Sequence, residues 1–171
     1  MRNKKICSII LLSILIIVIL FIISSCQNDK NDKVEIVEPE MKVYDTEGNL
    51  VVPENQVAFA VYGKGGKEGD IILDTVFVKY KDKMSAADLS KAVCREKNIP
   101  IVFSGMGTMM YVQGINNLFE FDDGSESGWG YSVNGEFQGV SSGSYTVQDK
   151  DFVEWFYTLD LGKDVGGYEL D

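Results

Sequence analysis

The amino-acid sequence predicts an α+β domain in which a small mixed, twisted sheet packs on one helix. Residues 56–62 alternate between apolar and other side chains, and residues 71–81 are rich in β-branched and aromatic residues, as strands are. Residues 84–98 change to helical spacing, and the chain from Ile101 onward consists of short apolar runs separated by turn residues. Two strands, one helix and several further strands, without a repeat, favour a single β-grasp-like domain.

The N-terminal segment has the features of a targeting sequence. Basic residues precede an uncharged apolar run over residues 6–23, which ends in Ile23-Ser24-Ser25-Cys26. This ending resembles the bacterial lipoprotein signal, in which the leader is cut before a cysteine that carries lipid. The resemblance implies a signal peptide over residues 1–25, lipidation at Cys26 and anchoring at the extracytoplasmic face of the cell membrane. An uncleaved signal anchor with an incidental cysteine is the alternative.

The segment after the cysteine differs from the rest of the chain. Residues 27–40 are charged and polar and include a proline, which is typical of a linker. Residues 41–56 predict at most a small hairpin about Glu47-Gly48-Asn49. We therefore expect a tether over residues 26–55, followed by the folded domain over residues 56–171.

The composition excludes several functions. The chain has 26 acidic and 16 basic residues, a net charge of -10, and no histidine. An acidic protein lacks the positive surface that nucleic acid requires. Without histidine there is no Ser-His or Cys-His nucleophile and no imidazole ligand for zinc. The sequence therefore predicts a protein that is not an enzyme, requires no cofactor, and does not bind nucleic acid.

The predicted helix has clear boundaries. Ser85 is a favourable N-cap with Asp88 three residues later, and Pro100 prevents the helix from continuing. The apolar face includes Leu89 and Cys94, so we expect the Cys94 thiol in the core. If Cys26 carries lipid, Cys94 has no disulfide partner in the mature chain.

The acidic loop at residues 121–128, "FDDGSESG", raises the question of a calcium site. It lacks the alternating ligand spacing and the terminal glutamate of an EF-hand loop. A solvated turn is favoured, and no metal site is predicted.

Two aromatic stretches are candidates for function. Residues 127–137, "SGWGYSVNGEF", predict a strand that enters a tight hairpin at Asn134-Gly135, with Trp129 and Tyr131 on one face. In residues 152–157 large apolar side chains point to both faces. Such a strand is either central and covered on both sides, or has one face reserved for a partner.

Residues 56–167 resemble the transcobalamin C-terminal-domain-like family of bacterial surface proteins, which is related to the smaller domain of animal cobalamin carriers. The segment Gly-Trp-x-Tyr-Ser-Val-Asn-Gly at 128–135, the strand at Tyr145 and Val-Glu-Trp at 153–155 carry this resemblance most specifically. It implies ligand-facing rings, with polar neighbours that orient the ligand. The implied ligand-binding residues are Trp129, Tyr131, Ser132, Asn134, Phe137 and Tyr145.

The chain also departs from the family pattern. Gly130 stands where members commonly have a larger apolar residue, and Lys150 stands where a turn has glycine. Ser142 and Leu159 occupy places where many members have cysteine. The first departure makes the aromatic surface smaller and leaves the identity of the ligand open.

The resemblance and the composition together predict a cell-surface lipoprotein that acts as a non-catalytic ligand-binding module. The ligand implied is cobalamin or another corrinoid, collected for uptake. The expected partners are the membrane, through lipid on Cys26, a small-molecule ligand, and an uptake permease or surface receptor. The alternative is a surface module that contacts protein or glycan and binds no corrinoid.

Overall fold

The computed structural model of the protein describes residues 34–37 and 41–167. The signal peptide predicted over residues 1–25 and the predicted lipidation site Cys26 lie outside the described residues. Among the helices that are described, none has the length and apolar character needed to span a membrane.

The predicted α+β class is confirmed: the described residues form one α-helix and nine strands. In chain order the elements are β1 (Ile36–Val37), β2 (Gln56–Tyr62), β3 (Ile71–Lys79), α1 (Ala86–Glu96), β4 (Ile101–Ser104), β5 (Tyr111–Ile115), β6 (Leu118–Phe119), β7 (Gly128–Val133), β8 (Glu136–Phe137) and β9 (Phe152–Thr158).

The larger sheet is mixed and has six strands in the order β1-β3-β2-β9-β7-β8. The hairpin of β2 and β3 is antiparallel, whereas the last strand, β9, runs parallel to β2 at the centre. The mixed sheet and the order of two strands, one helix and further strands agree with the prediction, and the parallel last strand is a feature that the sequence did not reveal. Strands β4, β5 and β6 form a second, smaller sheet.

Helix α1 begins at the predicted cap. The Ser85 hydroxyl accepts a hydrogen bond from the Asp88 amide at 3.1 Å, and the Asp88 carboxylate accepts one from the Ser85 amide at 3.3 Å. This reciprocal pair is a capping box, and the cap contributes about 1 kcal/mol. The apolar face, including Leu89, Val93 and Cys94, is buried.

The main core lies between α1 and the central strands of the large sheet. Phe59 and Val61 of β2 and Val153 and Trp155 of β9 face this layer, and all four are buried. The Trp155 indole N–H donates to Ser90 Oγ on the helix at 2.8 Å. This hydrogen bond satisfies the polar atom of the largest core side chain and fixes β9 against α1.

The opposite face of the sheet is covered in part by the N-terminal segment. Ile36 and Val37 pair with Val78 and Phe77 of β3, and Val52 is buried against Phe77. Part of the segment predicted as a tether therefore packs on the sheet, N-terminal to residue 56.

The Cys94 thiol is expected to be unreactive in the folded protein. It is fully buried, and burial raises its pKa to about 12. Because the thiolate is the reactive species, alkylation of Cys94 by iodoacetamide should be about 100-fold slower in buffer than in urea. Peptide mass spectrometry distinguishes Cys94 from the other two cysteines. Equal rates in buffer and urea would show that the thiol is accessible.

Candidate functional site

A cavity of about 330 Å³ lies along the edge of the large sheet at β7. On the outer edge of β7, strand β8 pairs only with Ser132 and Val133. The outer edge of residues 128–131 therefore borders this cavity, while their inner edge pairs with β9. The opposite wall comes from β5 and from the loops at residues 138–142 and 161–165. Three of the residues predicted to face ligand lie in the wall: Trp129, Tyr131 and Phe137.

Trp129 forms a rigid part of this wall. Its indole N–H donates to the Leu118 carbonyl at 2.9 Å, and its ring meets Tyr157 edge to face at a centroid distance of 5.3 Å. The side chain is half-buried, so it is held by the core on one side and reaches the cavity on the other. A fixed aromatic surface of this kind contributes contact area to a ligand at little entropic cost.

Tyr131 is largely a core residue. Only 5% of it is exposed, and its ring lies 5.1 Å from the Trp155 ring. The Tyr131 hydroxyl donates to the Val140 carbonyl at 3.0 Å and so holds the 138–142 loop over the cavity. The alternation in the sequence correctly placed Trp129 and Tyr131 on one face, which is the face that α1 covers.

Phe137 lies on the other side of the sheet edge, where its ring is 5.4 Å from Phe156. Gly130 lies in β7 between Trp129 and Tyr131, whose side chains point to the opposite face. A Cβ at Gly130 would meet nothing closer than Phe137 Cε1 at 3.9 Å. The space beside Gly130 is therefore open to the cavity.

Replacing Gly130 by alanine is expected to stabilise the protein by about 0.5–1 kcal/mol. The new methyl group has room, and alanine loses less backbone entropy than glycine when a strand forms. Urea denaturation followed by circular dichroism measures the change. A loss of stability would mean that the space beside Gly130 is filled in solution.

Ser132 and Asn134 lie away from the cavity. Ser132 Oγ is buried on the opposite face of the sheet and makes no well-formed hydrogen bond among the described residues, although it lowers the pKa of Glu154. Asn134 adopts a left-handed conformation with φ of 54° in the hairpin. Its side-chain amide donates to Asp151 at 2.9 Å and accepts from the Phe152 amide at 2.8 Å, so it joins the hairpin to β9.

Tyr145 is also outside the cavity wall. Its ring packs edge to face on Tyr131 at 6.4 Å, and its hydroxyl donates to Asp151 at 3.0 Å. Burial and the neighbouring Asp151 carboxylate raise the pKa of Tyr145 to about 12. Tyr145 thus packs against Tyr131 without lining the cavity.

The rim of the cavity is apolar and exposed. Tyr111, Val140 and Leu161 line the cavity and have exposed fractions between 41% and 51%. Glu120 and Glu126 are the carboxylates in the wall. Aromatic walls with a small number of polar groups are typical of sites for small molecules, and these charges favour a neutral or cationic ligand.

The acidic loop forms the turn that the sequence favours. The Asp122 carboxylate accepts from the Phe119 amide at 2.8 Å, and Asp123 pairs with Lys64 at 2.7 Å. In the part of the chain that the structure describes, no three His, Cys, Asp or Glu residues are grouped as metal ligands would be.

A second group of residues was not foreseen from the sequence. Glu154 lies on the face of β9 opposite α1, is 1% exposed, and pairs with Lys67, whose Nζ lies 2.6 Å from Glu154 Oε1. The rings of Tyr62, Phe152 and Phe156 surround the Lys67 ammonium. The sequence did show one unusual feature here, a glutamate in a strand that is apolar on both faces. Nothing near Glu154 in the sequence indicated that Lys67 would be its partner.

The Glu154 carboxylate should destabilise the fold increasingly as the pH rises. Burial raises the pKa of Glu154, against the lowering effect of the Lys67 ammonium and of the nearby Ser132 and Tyr62 hydroxyls. The stability that the protonated acid provides is lost as the pH rises through the raised pKa. We therefore expect the melting temperature of Glu154→Gln, relative to that of the original protein, to increase between about pH 4 and about pH 8. A relative decrease over this range would contradict the raised pKa.

One family model matches part of the chain. Residues 84–158 match the family described as a domain of unknown function (DUF4430), which is transcobalamin-like. The matched segment is less than half of the chain, and it contains α1 and every predicted ligand-facing residue. The coarser part of the predicted resemblance is therefore confirmed for this segment. No curated protein matches the chain.

Among solved structures, the chain is similar to a protein from Ruminococcus gnavus described as a candidate metal-binding protein. The two are 18% identical, with a TM-score of 0.44 over 61% of this chain and 97% of the other.

Proposed function

We propose that the protein is a non-catalytic ligand-binding module that is held at the extracytoplasmic face of the cell membrane by lipid on Cys26. The observation that carries this proposal is the cavity walled by Trp129, Tyr131 and Phe137 at the edge of the large sheet. Its aromatic wall is held by hydrogen bonds to the main chain, so the site exists before ligand arrives.

The shape of the site favours a large, flat ligand. A volume of about 330 Å³ is at the low end for small-molecule sites and admits only part of a macrocycle. The exposed side chains of Tyr111, Val140 and Leu161 extend the apolar surface beyond the cavity mouth. A flat ligand could insert one edge beside Trp129 and rest its face on this rim.

The ligand that we propose is a corrinoid. This choice depends on the transcobalamin-like match of residues 84–158, and the cavity geometry and the acidic wall are compatible with it. A corrinoid presents a broad apolar ring with amide groups at its edge, and its cobalt carries positive charge. The protein would pass such a ligand to an uptake permease or surface receptor.

Titration of the full chain in lipid nanodiscs with cobinamide and cobalamin tests this function. Binding should shift the visible spectrum of the corrinoid, with a dissociation constant in the micromolar range or tighter, which corresponds to about 8 kcal/mol. Empty nanodiscs are the control. If neither corrinoid binds at roughly 100 micromolar, the corrinoid proposal is wrong.

The alternative, a module that contacts protein or glycan, is favoured by one further observation. Met106, Met109 and Phe121 are among the most exposed large apolar side chains of the described residues. Met106 and Met109 lie at the same 3₁₀ turn, and contiguous exposed apolar surface is typical of interaction sites. Binding to a glycan array by a protein that binds neither corrinoid would support this alternative.

A further inference from the structure

The sheet face opposite α1 carries a second candidate site, centred on Lys67 and Glu154. Neither residue lines the cavity at β7, although Phe137 and Val165 lie in the walls of both sites. At its centre the Lys67 ammonium lies between a carboxylate and three aromatic rings. Lys67 Nζ is 2.6 Å from Glu154 Oε1, 5.9 Å from the Tyr62 ring centroid and 5.8 Å from those of Phe152 and Phe156. These distances are within the range of an ion pair and of cation–π attraction, so the surroundings are those of an ammonium-binding site.

The carboxylate and the three rings that surround the ammonium are held rigidly. Tyr62 belongs to β2, and Phe152, Glu154 and Phe156 belong to β9, and these two strands pair along their length at the centre of the sheet. Phe156 also stacks on Tyr62 at 5.2 Å. A buried carboxylate in such apolar surroundings is stable only with a cation beside it. The strands therefore fix an anion and three rings in place before any cation binds.

The Lys67 side chain, which supplies the ammonium, is held much less tightly. Lys67 lies in the 3₁₀ turn Gly66–Glu68, between Gly65 in a left-handed conformation and Gly69. The Lys67 side chain is 56% exposed, whereas that of its partner Glu154 is 2% exposed. Lysine can return to water without breaking any strand pairing, because its turn contributes no strand to the sheet.

Space for a ligand exists on both sides of the lysine. Two cavities, of about 380 Å³ and about 590 Å³, share Lys67, Gly135 and Glu154 in their walls. Phe156 lines the first, and Tyr62 and Phe152 line the second. The Lys67 side chain lies at the boundary, so its withdrawal would join the two spaces above the rings.

We propose that Glu154, Tyr62, Phe152 and Phe156 form a binding site for the ammonium group of a small organic cation, and that Lys67 occupies this site in the absence of ligand. A ligand enters when its ammonium replaces that of Lys67 on the Glu154 carboxylate. Lys67 thus competes with the ligand for the same carboxylate. The effective concentration of the Lys67 ammonium, on the order of millimolar for a short flexible link, determines how strongly it weakens the binding of a ligand.

Removal of the competitor tests this proposal. The full chain in lipid nanodiscs is titrated by calorimetry with n-butylammonium and with choline at constant ionic strength. Lys67→Ala should bind at least one of these cations about 10-fold or more tightly than the original protein. The double variant Lys67→Ala/Glu154→Gln should lose this gain, because the carboxylate charge is absent.

Lys64→Ala is the matched control. Lys64 lies in the same glycine-rich loop and is similarly exposed, but it pairs with Asp123 and not with Glu154. Its removal should leave cation binding unchanged. An equal gain in Lys64→Ala and Lys67→Ala would reflect only the general loss of positive charge and would overturn the proposal.

A folded Lys67→Ala variant that binds neither cation more tightly would also overturn the proposal. If Lys67→Ala does not fold, Lys67→Met replaces it, since methionine keeps an apolar stem over the rings without the charge. If Lys67→Met then binds neither cation more tightly than the original protein, the proposal is overturned. Corrinoid titration of the same variants keeps the two sites distinguishable, because Lys67 does not line the cavity at β7.

Discussion

Replacing Trp155 by alanine is expected to lower the free energy of unfolding by about 3–5 kcal/mol. Trp155 is almost fully buried on the central strand β9, packs on Tyr131 and donates its indole N–H to Ser90 Oγ. The substitution leaves a large cavity between the sheet and α1. Urea denaturation followed by circular dichroism measures the loss.

Trp155→Phe is the matched control for this prediction. Phenylalanine retains most of the apolar contact but leaves Ser90 without the indole donor, so we expect it to cost less than alanine. A cost of less than about 1 kcal/mol for Trp155→Ala would contradict the account of the core.

The Asp151→Ala substitution is expected to lower the free energy of unfolding by about 3 kcal/mol. Asp151 is buried at the start of β9, where it accepts hydrogen bonds from the Asn134 side-chain amide, the Tyr145 hydroxyl at 3.0 Å and the Gln148 amide at 2.8 Å. Alanine removes all three acceptor contacts and leaves partly buried donors without a partner. Because Tyr145 supports Tyr131, the wall of the β7 cavity should also loosen.

Two variants test this assignment by urea denaturation. Asp151→Asn retains one acceptor oxygen and should lose less stability than Asp151→Ala. Asp149→Ala changes an exposed carboxylate two residues earlier and should alter the stability by no more than about 0.5 kcal/mol. Similar values for Asp149→Ala and Asp151→Ala would show that Asp151 does not organise the hairpin.

The parts of the fold that depend on neighbouring residues could be predicted from the sequence. The cap at Ser85, the apolar face of α1 and the hairpin at Asn134-Gly135 depend on residues within one helical turn or one tight turn of each other. The alternation that puts Trp129 and Tyr131 on one face is equally local. All of these features appear in the structure.

The parts that depend on distant residues could not be predicted in this way. The sequence does not reveal that β9 lies parallel to β2, which is what brings Glu154 beneath Lys67. It also does not reveal that Ile36 and Val37 extend the sheet, because main-chain pairing leaves little trace in a polar, proline-containing segment. Which face α1 covers is likewise a nonlocal property, and it determines that Tyr131 is mostly core.

For the candidate site, the sequence identified the hairpin but not the role of each residue in it. Trp129, Tyr131 and Phe137 do meet at one cavity. Asn134 and Tyr145 instead make hydrogen bonds to Asp151, which the sequence did not single out. Polar side chains near a hairpin can orient a ligand or the backbone, and only the positions of their partners distinguish the two.

The central claim, that the β7 cavity and its rim bind a corrinoid, is tested most directly by cobinamide titration of a rim variant. Val140→Ser/Leu161→Ser removes exposed apolar side chains that line the cavity, so folding should be unaffected. The control Ile71→Ser/Val102→Ser removes exposed apolar side chains elsewhere. We predict that the rim variant binds cobinamide about 10-fold or more weakly than the original protein, at an unchanged melting temperature, while the control binds normally. Equal affinity in all three proteins would contradict the claim.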